Sequence, residues 1–141
     1  MLELATIQKA LDDAIAHLGA DSGTIHVKDP QRMVLVLAAS QNIPAPVLDV
    51  VREVPWGKGM AGMAVERMRP VSVCNIRTTT SSDVRPGAGA TGMQGALVVP
   101  MMKDGRAVGA FGVGCAADRD FNAEETRWLS DLADQLAKQF D

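Results

Sequence analysis

The run "QGALVVPMMKDGRAVGAFGVGCA", residues 94–116, limits the folds open to this chain more than any other stretch. Two apolar segments flank Lys103-Asp104-Gly105-Arg106, and Asp-Gly between strand-like residues marks a two-residue hairpin turn whose central positions need positive φ. Segments that are apolar at nearly every position suit strands covered on both faces. They read as the central strands of a sheet, and the rest of the chain must cover them.

A helix is read at each end of the chain. Leu4, Ile7, Leu11, Ala14 and Leu18 recur in steps of three and four, one apolar stripe along a helix that Gly19 stops. At the other end Phe121 precedes Asn122, an N-cap with Glu125 three residues on, and Leu129, Leu132, Leu136 and Phe140 line one face of a helix that runs to the end of the chain. Between them "SGTIHV" and "MVLVLAAS" read as strands joined through "KDPQ", where Asp29-Pro30 begins the reversal. "NIPAPVLDV" reads as a short helix or turn, "VREVP" as a small strand or connector, and "VSVCNI" as a strand. It leads into "RTTTSSDVRPGAGATG", a loop long enough to imply a lid or disorder.

Length and charge set the outer bounds. The 141 residues, 47% of them hydrophobic, make one compact domain over residues 1–141 and leave no chain for a second. Net charge is −3 with bases scattered among acids, so no basic stripe exists for nucleic acid or an anionic membrane. No segment approaches the ~20 apolar residues of a membrane span, and the N-terminus is an acid-containing amphipathic helix rather than a signal peptide, so a cytoplasmic chain is expected. Cys74 and Cys115 sit far apart in apolar runs without metal spacing. They read as small buried residues in a reducing compartment, with a redox pair as the alternative. No metal ligand set is expected.

Residues 55–70, "PWGKGMAGMAVERMRP", spell G-x-G-x-x-G through Gly57, Gly59 and Gly62, the fingerprint of dinucleotide-binding turns. Their surroundings do not suit that use. Pro70 stops the helix near Met68, whereas a crossover helix between parallel strands needs a connection of about a dozen residues or more. The next strand ends in Asn75 instead of an acid, and no Lys-Ser or Lys-Thr follows the last glycine. The reading adopted is mechanical: Gly57 and Gly59 permit a sharp turn from Met60 into the helix, and Gly62 lets that helix lie close against its neighbour. Free N–H groups at the helix start leave an anion contact open.

In this order the elements resemble a GAF domain, a small-molecule sensor module related in shape to PAS domains. "GKGMAGMAVERMRPVSVCNI" is similar to the family's glycine turn, helix and strand. "GMQGALVVPMMKDGRAVGAFGVG" resembles its hairpin, with Gly95 where serine is usual, and "RDFNAEETRWLSDLADQLA" resembles its closing helix. The resemblance covers essentially the whole chain. It implies an α+β fold: an antiparallel sheet with terminal helices on one face, and a short helix plus long loop over a ligand pocket on the other.

The same fold hosts binding modules and an enzyme, so function turns on the site. In the free methionine-(R)-sulfoxide reductases of the family, cysteines fall near Val51, near Ala61 and within Arg85 to Ala90, and paired acids fall on Gly112 and Gly114; none is matched here. The Asn-Lys pair of cyclic-nucleotide-binding relatives falls near Gly114-Cys115 and is also absent, although Phe121, Glu124 and Glu125 echo the rest of that motif. The loop holds no cysteine followed by histidine for a chromophore. His26 points away from Ile25 and Val27 and reads as a solvent-facing or core-edge residue rather than a haem ligand.

The expectation is therefore a sensory or regulatory domain in signal transduction, without catalysis, that binds an unidentified small molecule with no assigned cofactor. Trp56, Met60, Met63, Asn75, Arg77, Arg85 and Met93 are the expected ligand-binding residues, with Met68, Met101 and Met102 nearby. The two arginines would favour an anion. The terminal helices are expected to form a homodimer, with output through a signalling partner protein. A thiol redox enzyme using Cys74 and Cys115, and a dimerisation module with an unoccupied pocket, are the alternatives.

Overall fold

The computed structural model describes residues 3–73 and 94–140. In chain order the elements are α1 (Leu4–Leu18), β1 (Ser22–Asp29), β2 (Val34–Gln41), α2 (Ala45–Val51), β3 (Glu53–Pro55), α3 (Gly59–Arg67), β4 (Val71–Val73), β5 (Gly95–Lys103), β6 (Arg106–Cys115) and α4 (Ala123–Ala137). The strands form one sheet in the order β3-β2-β1-β6-β5-β4, and every neighbouring pair is antiparallel.

The central hairpin forms as its turn demands. Asp104 and Gly105 both take positive φ, 53° and 76°, the backbone whose twist matches that of the flanking strands. β6 pairs with β5 on one side and β1 on the other, so its amides are consumed by ladders in both directions. Register slips once along the hairpin: Met101 faces Gly109 while Met102 faces Ala107, which leaves Val108 as a bulge residue. Ala107 and Ala110 consequently share one face.

The other face is the main core. Ile7, Leu11, Ala14, Ile15 and Leu18 of α1 and Leu129, Ala133, Leu136 and Ala137 of α4 pack on Ile25, Ala39, Leu97, Val99, Met101, Phe111 and Val113. α1 stops at Gly19, which takes φ 65°. Helix α1 seats close because β1 offers a glycine beneath it: a Cβ on Gly23 would lie 2.8 Å from Leu11 Cδ1 and 2.7 Å from the Gly112 carbonyl oxygen. Two expectations change here. Leu4 is 67% exposed and residues 3–6 are all exposed, so the first turn of α1 stands clear of the sheet. Met101 is fully buried in this core rather than beside a pocket, since adjacent strand residues point to opposite faces.

Helix α4 begins with a complete capping box: the Glu125 N–H donates to Asn122 Oδ1 at 2.7 Å, and the Asn122 N–H donates to Glu125 Oε1 at 3.0 Å. His17 stacks on Trp128 across the two helices, with centroids 3.9 Å apart and planes 10° from parallel. Lys9, Asp13, Glu124, Arg127, Asp131 and Lys138 face outward, so the apolar stripes, Leu4 apart, are spent inside the chain. No helix among the described residues is long and apolar enough to cross a membrane.

A smaller second core lies on the opposite face, where Val65 of α3 meets Leu35, Val54, Ala107 and Ala110, with Trp56, Ala61, Val98 and Met102 around them.

Candidate functional site

The glycine turn before α3 is a mechanical joint. Trp56 N–H donates to the Met33 carbonyl at 3.1 Å, Gly57 N–H to the Gly62 carbonyl at 3.0 Å, and Lys58 N–H to the Pro55 carbonyl at 3.1 Å. These bonds tie the turn to the strand before it and to the helix after it. Gly57 and Gly59 take φ 80° and 66°, and a Cβ on Gly62 would fall 2.5 Å from the Pro55 carbonyl oxygen. The helix therefore rests directly on the strand before it. It ends at Arg67, where Met68 caps it in the left-handed region with φ 55°.

α3 packs on Leu35, Val54, Ala107 and Ala110 of the face opposite the terminal helices. Pairing carries Ser22, Thr24 and His26 of β1 onto that face beside Gly114, Gly112 and Ala110 of β6, and sets Ser40 of β2 opposite Thr24. The floor so formed holds three hydroxyls and an imidazole on one side, a strip without side chains at Gly112 and Gly114 in the middle, and Ala96 and Val98 of β5 beyond. Ser22 is 2% exposed and His26 3%. His26 Nε2 lies 2.8 Å from the Val51 carbonyl, which requires the proton on that nitrogen. The hydroxyls of Ser22, Thr24 and Ser40 make no hydrogen bond among the described residues.

Sequence reasoning weighed His26 in this row and missed the serines and threonine. The signal was present in "SGTIHV", whose polar residues alternate with Gly23, Ile25 and Val27. His26 is buried rather than solvent-facing or at the core's edge, because β1 is an interior strand with a neighbour on each side.

The expected ligand residues are spread over the face. Trp56 is half-buried at the opposite end from Ser22, with Lys28 Nζ 5.1 Å from its ring centroid and its ring against the second core. Met60 and Met63 are half-buried on the side of α3 turned away from Val65. Met68 is 54% exposed. Asn75, Arg77, Arg85, Met93 and Cys74 lie outside the described residues, as does the expected loop.

Cys115 opens onto the helix face, 4% exposed, with Arg119 Nη1 3.5 Å from its sulfur. The sheet separates it from the hydroxyl floor. Arg119 also pairs with Glu125. The Asn122 N–H, joined by that guanidinium, holds the Glu125 carboxyl below its usual range against the opposing effect of burial. At the sheet's other end an open groove of about 510 Å³ runs beside α2, lined by Val36, Leu37, Asp49, Val50, Arg52 and Glu53. Its charges are already engaged, Arg52 with Asp49 and Glu53 with Arg32.

This architecture, an antiparallel sheet with terminal helices on one face and a short glycine-hinged helix on the other, defines the class of the domain, α+β. The GAF domain signature matches residues 3–139, and the chain belongs to the GAF domain family. Among solved structures it is similar to the GAF domain of a phosphoenolpyruvate-protein phosphotransferase from Coxiella burnetii, at 21% identity and TM-score 0.83, covering 96% of this chain and 80% of that one. It is likewise similar to a free methionine-R-sulfoxide reductase from Neisseria meningitidis in complex with its substrate, at 23% identity and TM-score 0.81, covering 97% and 77%. A domain of a putative two-component sensor histidine kinase from Sinorhizobium meliloti aligns at 18% identity and TM-score 0.78, covering 98% and 90%. No curated protein matches the sequence.

Proposed function

We propose that this chain is a regulatory GAF domain that binds a small molecule on the cavity face of its sheet and performs no chemistry on it. One observation carries the reading. Beyond α3 the face presents the hydroxyls of Ser22, Thr24 and Ser40 beside Gly112 and Gly114, which carry no side chain to cover them. Such a surface gains its missing hydrogen bonds when a ligand seats on it. The absence of catalysis is supported by the floor's composition, since its described side chains include no thiol and no carboxylate. Residues that supply acids in sulfoxide reductases correspond by resemblance to Gly112 and Gly114. Cys115 faces the other side of the sheet, which disfavours the thiol alternative.

Output runs through a partner protein or a second copy of the chain. A homodimer built on α1 and α4 would meet through their outward polar residues and the exposed Leu4, because the other apolar residues of the stripes are committed to the core. Native mass spectrometry of protein exposed to cell extract, compared with the denatured mass, tests ligand and subunit count together. A bound mass below about a kilodalton that is lost on denaturation is the expected result. Protein that stays bare in every extract refutes the sensor reading, and turnover of methionine sulfoxide refutes the non-catalytic one.

A further inference from the structure

Helix α2 differs from the other three in how it is held. α1, α3 and α4 each press buried side chains onto the sheet, whereas none of the seven residues of α2 is buried, although all but Asp49 are apolar. Val50 is 55% exposed and lines the open groove of about 510 Å³ together with Val36 and Leu37 of β2. Apolar burial is the main force that fixes a helix on a sheet, and a helix of two turns does not hold its shape alone in water. The ties of α2 lie at its two ends. Asn42, with φ 57°, leads into it and donates from Nδ2 to the Asp21 carbonyl at 2.8 Å. At the exit Val51 rests against the second core, the Leu37 N–H donates to the Arg52 carbonyl at 2.9 Å, and His26 Nε2 donates to the Val51 carbonyl at 2.8 Å.

We propose that α2 is a conformational device of this domain, a strap that opens about Arg52 while the sheet and the other helices keep their places, and that His26 is the positioning residue that latches it. This device goes beyond the ligand reading above and stands without it. An element with few buried apolar side chains opens locally, at far less cost than global unfolding. Opening about Arg52 keeps the hydrogen bond from Leu37 to Arg52 and parts the one from His26 to Val51, because the imidazole belongs to the interior strand β1 and stays with the sheet. His26 is 3% exposed while the bond is made, so the latch is a hydrogen bond shielded from water, the kind whose loss is felt most. The position of α2 is in this way tied to β1 through one side chain.

The test is backbone amide hydrogen exchange, read by NMR on the full chain as wild type, His26→Leu and His26→Gln. Leucine cannot donate, whereas the glutamine amide can present an N–H near the place of Nε2. In wild type the Leu48 N–H, which donates to the Pro44 carbonyl at 3.0 Å, should exchange about a hundredfold faster than the amides of β6 and independently of low urea, while the Leu37 N–H stays protected. His26→Leu should quicken Leu48 by about tenfold more than it quickens β6, and His26→Gln should restore most of that protection. Exchange of Leu48 only in step with β6, rising with urea, overturns the strap. Equal quickening of Leu48 and β6 in His26→Leu overturns the latch, since a histidine that merely supports the fold lowers all protection by one factor. Loss of protection at Leu37 together with Leu48 overturns the hinge at Arg52, because β3 then leaves with the helix. Where His26→Leu does not fold, His26→Asn, whose shorter side chain sets its donor short of Val51, carries the same comparison.

Discussion

Gly62→Ala separates two accounts of the glycine turn because they predict opposite signs. By helix propensity alone, alanine for glycine inside α3 stabilises by about 1 kcal/mol. The structure argues the reverse. The added Cβ would sit 2.5 Å from the Pro55 carbonyl oxygen and 3.0 Å from the Gly57 nitrogen, where ordinary contact begins near 3.4 Å. Both atoms are backbone, so α3 must retreat by nearly an ångström. That retreat stretches the Gly57 to Gly62 hydrogen bond and lifts Val65 and Ala61 from the second core. Overpacking costs about 1–3 kcal/mol and a weakened hydrogen bond about 1 more, so a net destabilisation of about 1–3 kcal/mol survives the propensity gain. Urea denaturation measures it. Gly105→Ala is the control, since its φ of 76° strains an alanine but no atom lies within 4 Å of the new Cβ. A Gly62→Ala protein as stable as wild type refutes the close-packing account.

Other substitutions test separate joints. Asn122→Ala removes the acceptor for the Glu125 N–H and should lower stability by about 1 kcal/mol in the same assay. Met68→Gly relieves an exposed side chain held at φ 55° and should raise stability by up to about 1 kcal/mol, measured by the denaturation midpoint. Glu125 has a lowered pKa in the fold, so its contribution is fully present above the unfolded carboxylate value of about 4.3 and is lost as pH falls through the lower folded value. Glu125→Gln should therefore flatten the acid limb of a stability-versus-pH curve, and an unaltered limb would show that other carboxylates set it.

Local rules made most of the scaffold readable from sequence. Asp104-Gly105, the Asn122 capping box, the stop at Gly19 and the length of α3 before Pro70 all depend on a few consecutive residues, and each forms where those residues indicate. The exposure of Leu4 depends on where the sheet ends beneath α1, which no stripe of apolar residues encodes. The bulge at Val108 is equally nonlocal, since register emerges only when β5 and β6 pair. The candidate site was harder to see for a similar reason. Serine and threonine on a strand face ordinarily meet water, and those of "SGTIHV" become informative only because Ser22 is enclosed and its neighbours across the sheet are glycines that lie 90 residues away or nearly so in the chain.

β1 joins the two halves of this design. Its residues alternate between Gly23 and Ile25 beneath the terminal helices and Ser22, Thr24 and His26 on the opposite face. Hydrogen bonds to β2 and β6 hold the strand on both sides, so it moves with the sheet rather than alone. The helix face of β1 is in close contact with α1, where Leu11 Cδ1 would lie 2.8 Å and Ile15 Cδ1 3.3 Å from a Cβ on Gly23. A ligand that shifts Ser22 or Thr24 by a fraction of an ångström therefore displaces α1 as well, because packed side chains at full density cannot absorb the movement. The outward surface of α1 is polar and free to meet a partner. On the proposed reading, binding on one face of β1 would be converted in this way to a change in helix position on the other.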